Sequence, residues 1–502
     1  MSYFQVDALE HDVLEVLGLV HSMKNTFAPV NRTPPEVLSL IPDYLEVEDR
    51  DESLIALTHV CRSWREIFVS CPPLWTWLDF TDIEKTRVYI ERSKCAPLEI
   101  HLELPYEEEA FLLAIPHIHR LKTLWVSGDP AELLPVLVEH FSCPLPLLNE
   151  LEIDFPYDDD PTLPHGLFNG DFSSLHKLTL TGVTTALPWR DLSNLTTFNL
   201  SGVPEGGILL TQLLDFFEST SNLRHIQLDT SLPNSSDAPT ERVVPLPHLK
   251  DLSMCLFTEE EQPILNHLSI PVGASLHLEL EFVNEEPPFS SSLLESPGNL
   301  RNLSHIIAVN LCFDPNQRNI RLNGPSGELC ILRSWKREER SLDTGASQVI
   351  QYLDQFDISK TQWLTISLYN YRPSDPAQIT KLAVHRILRP MEDLRTLMLI
   401  HGEGLPFIRA LTPGENPDKV VLCPRLEEII IYDYFRDTVR LDELVEMARE
   451  RALRGTKLSA IKIINTTTNG PIERVLLPLR EHVEHVEYRF TYEVPEWDAL
   501  PN

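Results

Sequence analysis

Apolar residues along this chain follow two different rhythms. Over residues 3 to 23, Val6, Leu9, Val13, Val16, Leu17 and Val20 return at steps of mostly three and four, which predicts one amphipathic helix. Pro34 and Pro35 then precede "EVLSLI". A proline at the start of a helix forfeits no hydrogen bond, so a new helix is expected over 36–45. Short helices are expected over 53–61 and 62–70, beyond the acidic link "EVEDRDES", and another around "DIEKTRVYIERS".

From about residue 98 the rhythm changes to the frame L-x-x-L-x-L. It occurs as "LKTLWV" at Leu121, "LNELEI" at Leu148, "LHKLTL" at Leu175, "LTTFNL" at Leu195, "LRHIQL" at Leu223 and "LKDLSM" at Leu249, at separations of 27, 27, 20, 28 and 26. It resumes as "LRTLML" at Leu394, "LEEIII" at Leu426, "LSAIKI" at Leu458 and "VEHVEY" at Val483, and "WLTISL" from Trp363 reads as a repeat begun one position late. Helical segments such as "PAELLPVLVEHF", "LLTQLLDFFEST", "SQVIQYLDQF" and "LDELVEMARERAL" lie between the frames. One strand plus one helix per unit is the period of a leucine-rich repeat, and only stacking on neighbours can bury both apolar faces. The expected fold class is therefore α/β: an all-α N-terminal module followed by a leucine-rich-repeat-like solenoid with a curved parallel sheet. Solvent-facing frame positions such as Lys122, Thr123, Trp125, His176, Lys177 and Arg224 are open to a binding role, but no substrate-binding set can be named.

Charge narrows the partners. Asp and Glu number 75 against 42 Lys and Arg, a formal charge of -33, with no basic run to offer a phosphate backbone. Nucleic acid and anionic membrane are thus not expected partners, and no apolar run approaches the roughly 20 residues of a membrane-spanning helix. The N-terminal stretch is acidic where a secretory signal would be basic. Eight scattered cysteines without a CxxC pair fit reduced thiols, hence cytoplasm or nucleus.

No phosphate loop, nucleophile elbow, H-E-x-x-H or dinucleotide fingerprint is present, so neither catalytic residues nor metal ligands nor a cofactor are expected. Cys61, flanked by Arg62 and Arg65, is the nearest thing to a nucleophile. Its apolar frame of Leu57, Val60 and Trp64 favours a packed small hydrophobe.

The stretch Val30 to Leu78 resembles an F-box. The elements are "PPEVLSLIPDYL" at Pro34, "VCRSWREI" at Val60 and "PLWTWLDF" at Pro73, in the family's order and approximate spacing; Thr33 stands where leucine is usual, and the acidic link is longer than in compact members. The style is similar to the large F-box families of mushroom-forming fungi. The resemblance implies docking on the adaptor subunit of an SCF-type cullin-RING ubiquitin ligase through Pro34, Pro35, Val37, Leu38, Ile41, Leu45, Leu57, Val60, Cys61 and Trp64, with adaptor contact weighted towards Pro34, Val37 and Leu38. Trp64 and Trp75 are weighted towards the module's own core. The implied role is a non-catalytic substrate receptor that holds an unknown protein substrate. Two other readings are a scaffold that binds the adaptor without promoting degradation, and a hydrolase or metal enzyme hidden in the middle of the chain. The expected segments are a helix over 1–28, the F-box over 29–80, solenoid over 81–282, an irregular loop-rich middle over 283–345, and solenoid again over 346–502.

Overall fold

A computed structural model describes residues 3–44, 50–156, 161–164, 166–184, 192–203, 209–229, 242–256, 264–283, 301–313, 317–325, 327–334, 349–350, 353–354, 356–368, 381–400, 405–413, 421–433, 441–465 and 473–490. Contacts divide the chain into two compact units, one centred on Met1–Leu180 and the other on Leu192–Asn502. None of the described helices is long and apolar enough to cross a membrane.

The first unit begins with α1 (Tyr3–Thr26), α2 (Pro35–Leu38), α3 (Arg50–His59) and α4 (Arg62–Val69). Strand β1 (Trp77–Leu78) and α5 (Ile83–Ser93) follow, then β2 (Leu98–Glu103), α6 (Glu108–Ala114), β3 (Leu121–Ser127), α7 (Pro130–His140), β4 (Glu150–Asp154) and β5 (Lys177–Thr181). Strands β1 to β4 pair in parallel, Leu78 with Ile100, Ile100 with Leu124 and Leu124 with Leu151. Every second side chain turns inward, so Ile100, Leu124 and Leu151 are buried while Glu99, Thr123 and Glu150 between them stay half-exposed. The expected segment boundary at residue 80 falls inside this unit. The reason is local: Trp77–Leu78 is itself a strand of the sheet, hydrogen-bonded onward through Thr76, whose carbonyl accepts the Glu99 amide at 2.9 Å.

The second unit continues with β6 (Thr197–Ser201), α8 (Leu210–Ser219), β7 (His225–Asp229), β8 (Val244–Pro245), β9 (Asp251–Leu256), β10 (Leu268–Ser269) and β11 (Ser275–Val283). Then come β12 (Ala308–Phe313), β13 (Gln317–Asn323), β14 (Gly327–Ser334), β15 (Trp363–Leu368), β16 (Thr396–Ile400), β17 (Glu428–Asp433), β18 (Ala460–Asn465) and β19 (His485–Phe490). Helices Lys381–Leu388, Leu405–Leu411, Leu441–Leu453 and Glu473–Arg480 alternate with the last strands, which pair in parallel from β15 to β19.

The frame has a backbone cause as well as an apolar one. Its first residue closes a tight turn, with amides donating to the carbonyl three residues back at Leu148, Leu195, Leu223 and Leu426. Its second residue donates to the second residue of the frame before it: Asn149 to Lys122, Arg224 to Thr196, Glu427 to Arg395 and Ser459 to Glu427, each at 2.8 Å. Successive frames are therefore locked in register before any side chain is considered. Burial of the first, fourth and sixth positions then adds about 1.5–3 kcal/mol per large side chain; Phe198 and Leu200 are each 0% exposed.

Two expectations are corrected. "WLTISL" is not a late start: Leu364 pairs with Leu397 and Ile366 with Leu399, so the frame is T-x-x-L-x-I from Thr361. Thr361 is fully buried in a leucine's place, and its hydroxyl finds the Ile306 carbonyl at 3.2 Å. The expected irregular middle holds three strands among its described residues. β12 and β13 run antiparallel, as do β13 and β14, while β14 lies parallel to β11 and β12 parallel to β15. Hairpins have a period of two and no helix, so a search for a strand-plus-helix frame passes over them. Of the predicted helix "SQVIQYLDQF", Val349, Ile350 and Leu353 are helical, and half of the segment lies outside the described residues.

Strands β11 and β14 set His277 opposite Glu328, with Nδ1 3.5 Å from Oε2, and Arg321 Nε lies 2.8 Å from Glu328 Oε1. The Glu328 contact raises the His277 pKa above the ordinary 6.5, against an opposing effect of burial. A histidine raised in the folded state stabilises fully below its unfolded pKa and loses that contribution as pH climbs through the folded value. The urea midpoint should therefore fall between pH 6 and pH 8, and His277→Gln should flatten that slope. An unaltered slope in the variant would remove His277 as its source.

Candidate functional site

The helical module of the first unit is built from its prolines and tryptophans. Pro34, with ψ at 143°, is the residue before α2, and its carbonyl receives the Val37 and Leu38 amides at 3.0 and 3.1 Å. Pro35 occupies the first turn, where its missing N–H costs nothing. The helix ends after one turn, and a 3-10 turn follows over Ile41–Tyr44, so the expected helix over 36–45 is broken in two. Pro42 explains the break, since it cannot donate and restricts Ile41 before it.

Cys61 is the extended residue before α4, with φ −162° and ψ 171°, and its carbonyl accepts the Arg65 amide at 3.0 Å. Arg65 reaches back with Nε to the Thr58 carbonyl at 3.1 Å, clamping α3 against α4. α4 turns Trp64 and Phe68 inward, with ring centroids 5.5 Å apart in an edge-to-face contact. The Trp64 indole N–H donates to Asn31 Oδ1 at 2.6 Å, fastening the segment ahead of the prolines to α4. Cys61 borders a cleft of about 300 Å³ between α1 and α4, together with Gly18, His21, Asn25 and Asn31. α1 keeps Leu9, Val13, Val16 and Met23 exposed.

Trp75 closes the far end. Its indole N–H donates to the Phe68 carbonyl at 2.8 Å, its ring meets Tyr89 at 5.0 Å, and the Arg92 guanidinium lies 4.3 Å above it. Tyr89 donates to Asp51 at 2.8 Å, and Lys85 bridges Asp51 and Asp79. Burial and then the Asp51 charge push the Tyr89 phenol well up. Burial pulls the Lys85 ammonium down, but the hydrogen bonds and charge of its two carboxylates outweigh this and raise it. Both shifts describe a packed joint that ties α3 to β1 and α5.

The residues singled out from the sequence separate into three groups. Pro34, Pro35, Val37 and Val60 are exposed; Ile41, Leu57 and Cys61 are half-buried; Leu38 and Trp64 are buried at 2% and 7% exposure. Leu45 lies outside the described residues. Leu38, weighted from the sequence towards adaptor contact, is buried, as is Leu54. Leu40 and Ile55, not singled out from the sequence, are exposed at 51% and 46%. Periodicity assigned every apolar residue of these helices to a face without saying which face the module itself covers.

Residues 31–81 match the F-box-like family, and an F-box-like domain is present there. No curated protein matches the chain.

Replacement of Trp75 by alanine should cost the first unit about 3–5 kcal/mol, the usual range for a buried tryptophan. Trp64→Phe keeps a ring but leaves Asn31 without its donor, and should cost about 1 kcal/mol from the lost hydrogen bond. Urea unfolding followed by far-UV circular dichroism checks both, and a Trp75→Ala cost no larger than that of Trp64→Phe would contradict the full burial of the Trp75 ring.

Proposed function

We propose that this protein is the substrate-recognition subunit of an SCF-type cullin-RING ubiquitin ligase. The observation that carries the reading is the F-box-like domain over 31–81 with an apolar exterior left around Pro34, Val37, Leu40, Ile55 and Val60. Apolar residues that a small module leaves exposed favour a partner, and a stable interface rests on a few such anchors within a polar rim. The partner in this reading is the adaptor, and through it the cullin.

The frames that follow are read as a leucine-rich-repeat-like α/β solenoid that holds a protein substrate. The registered amide ladder and the recurring strand-plus-helix unit support this. The chain's own contribution would be proximity alone, raising the concentration of a substrate lysine near a charged ubiquitin carrier, with no residue of this chain reacting. Cytoplasm or nucleus is the proposed location, where the reduced state of the eight cysteines fits.

Co-expression with the adaptor tests the docking. Val37→Glu combined with Val60→Glu should abolish co-purification while leaving the urea midpoint unchanged, since both side chains are at least half exposed. Capture at the wild-type level by this double variant would sink the docking assignment. Leu38 is unsuitable for the test, because its burial would confuse lost docking with lost folding.

A further inference from the structure

The outward side chains of the first unit's strands form a surface that the frame alone does not require. Trp77 of β1, His101 of β2 and Trp125 of β3 make a ladder across the sheet, with ring centroids 5.0 Å and then 5.4 Å apart. All three are half-exposed, on the face opposite the buried Leu78, Ile100 and Leu124. The Trp125 indole N–H donates to Glu152 Oε1 at 3.1 Å, and pairing sets Trp125 opposite Glu152 and Thr123 opposite Glu150.

The same face is strongly acidic. Glu99, Glu103, Glu150, Glu152 and Asp154 all project from it, on strands whose alternate residues are buried. Lys177 answers only part of this charge, standing 3.9 and 4.0 Å from Glu150 and Glu152. Glu99, Glu103 and Asp154 make no ion pair among the described residues.

We infer that this ladder is a binding surface for an arginine-bearing, extended segment of a protein partner. Two features of the surface choose that chemistry. Aromatic faces attract a cation through the ring quadrupole, and flanking carboxylates accept its N–H groups, so the guanidinium can stack and hydrogen-bond at once. A lysine ammonium offers only a point charge. Cations already lie against tryptophans within the first unit: Lys85 Nζ lies 5.7 Å from the Trp77 ring centroid while held by Asp79 at 2.6 Å, and Arg92 covers Trp75. The ladder is about 10 Å long on the strand spacing of ~4.8 Å, which matches arginines three residues apart in an extended chain rising ~3.3 Å per residue.

The inference rests on the substrate-receptor reading and gives its partner a chemical class. The surface lies entirely within the first unit, the one that carries the F-box-like domain.

Fluorescence anisotropy of a labelled peptide of four Arg-Gly-Ser repeats, titrated with the full chain, tests it. The arginine peptide should bind, its lysine counterpart several-fold more weakly, and its glutamate counterpart not at all. Trp125→Leu should weaken binding about tenfold, within the range of a partly desolvated cation–aromatic contact, and Trp125→Phe should restore most of the loss. Glu152→Gln should also weaken it, which keeps the test decisive where the Trp125→Leu chain does not fold. No binding of the arginine peptide, equal binding of the lysine peptide, or unchanged binding by Trp125→Leu would each overturn the inference. Adaptor capture is measured on the same preparations: capture without peptide binding removes the ladder and spares the docking reading, while peptide binding without capture does the reverse.

Discussion

A short strand with three inward apolar side chains has two open edges, and closing those edges is the constraint on which this chain depends. In most of the described frames the second residue donates to the carbonyl of the frame before it, as Asn149 does to Lys122 and Glu427 to Arg395, so neighbouring strands take their register from the backbone. Parallel pairing then leaves only one place for the apolar residues, since a slip of one residue would turn all of them to solvent. In the first unit, the two-residue strand Trp77–Leu78 covers the edge of β2. Short edge strands are a common means of ending a sheet without inviting further pairing.

That closure explains why the F-box-like domain and the first frames form one unit. The domain ends in a strand of the sheet, and the joint behind it is packed by Trp75 against Tyr89 and by Lys85 between Asp51 and Asp79. The tryptophans that mark the motif are mostly interior: Trp64 and Trp75 hold α4 from its two ends through single indole hydrogen bonds. The apolar surface left outside belongs instead to smaller side chains, Pro34, Val37, Leu40, Ile55 and Val60. Trp77 differs from its neighbours, because its place on a strand turns the ring outward beside His101.

Much of the architecture was legible in the sequence. Helix α1, the pair α3 and α4, and ten occurrences of the frame all correspond to observed elements, because periods of 3.6 and of strand plus helix leave repeated marks. Thr361 escaped because a hydroxyl satisfied by the Ile306 carbonyl fills a leucine's place, and pattern matching reads only apolarity there. The three middle strands escaped because antiparallel pairs follow no long repeat. On the outer face of the later strands, Met398 and Ile430 are buried with Trp363 and Tyr432 packed against them, contrary to simple alternation between core and solvent.

The sequence by itself determined the strand-plus-helix frames, helices α1, α3 and α4, and where the F-box-like motif lies, since these depend on local spacing and on proline. Tertiary structure alone decided which side of each helix is covered, burying Leu38 and leaving Val37 beside it in solvent. It also brought Trp77, His101 and Trp125 into one row from strands about 24 residues apart, a distance set by parallel pairing. Local pattern fixes the direction of a side chain relative to its own element; what that side chain meets is fixed only when the neighbouring element arrives.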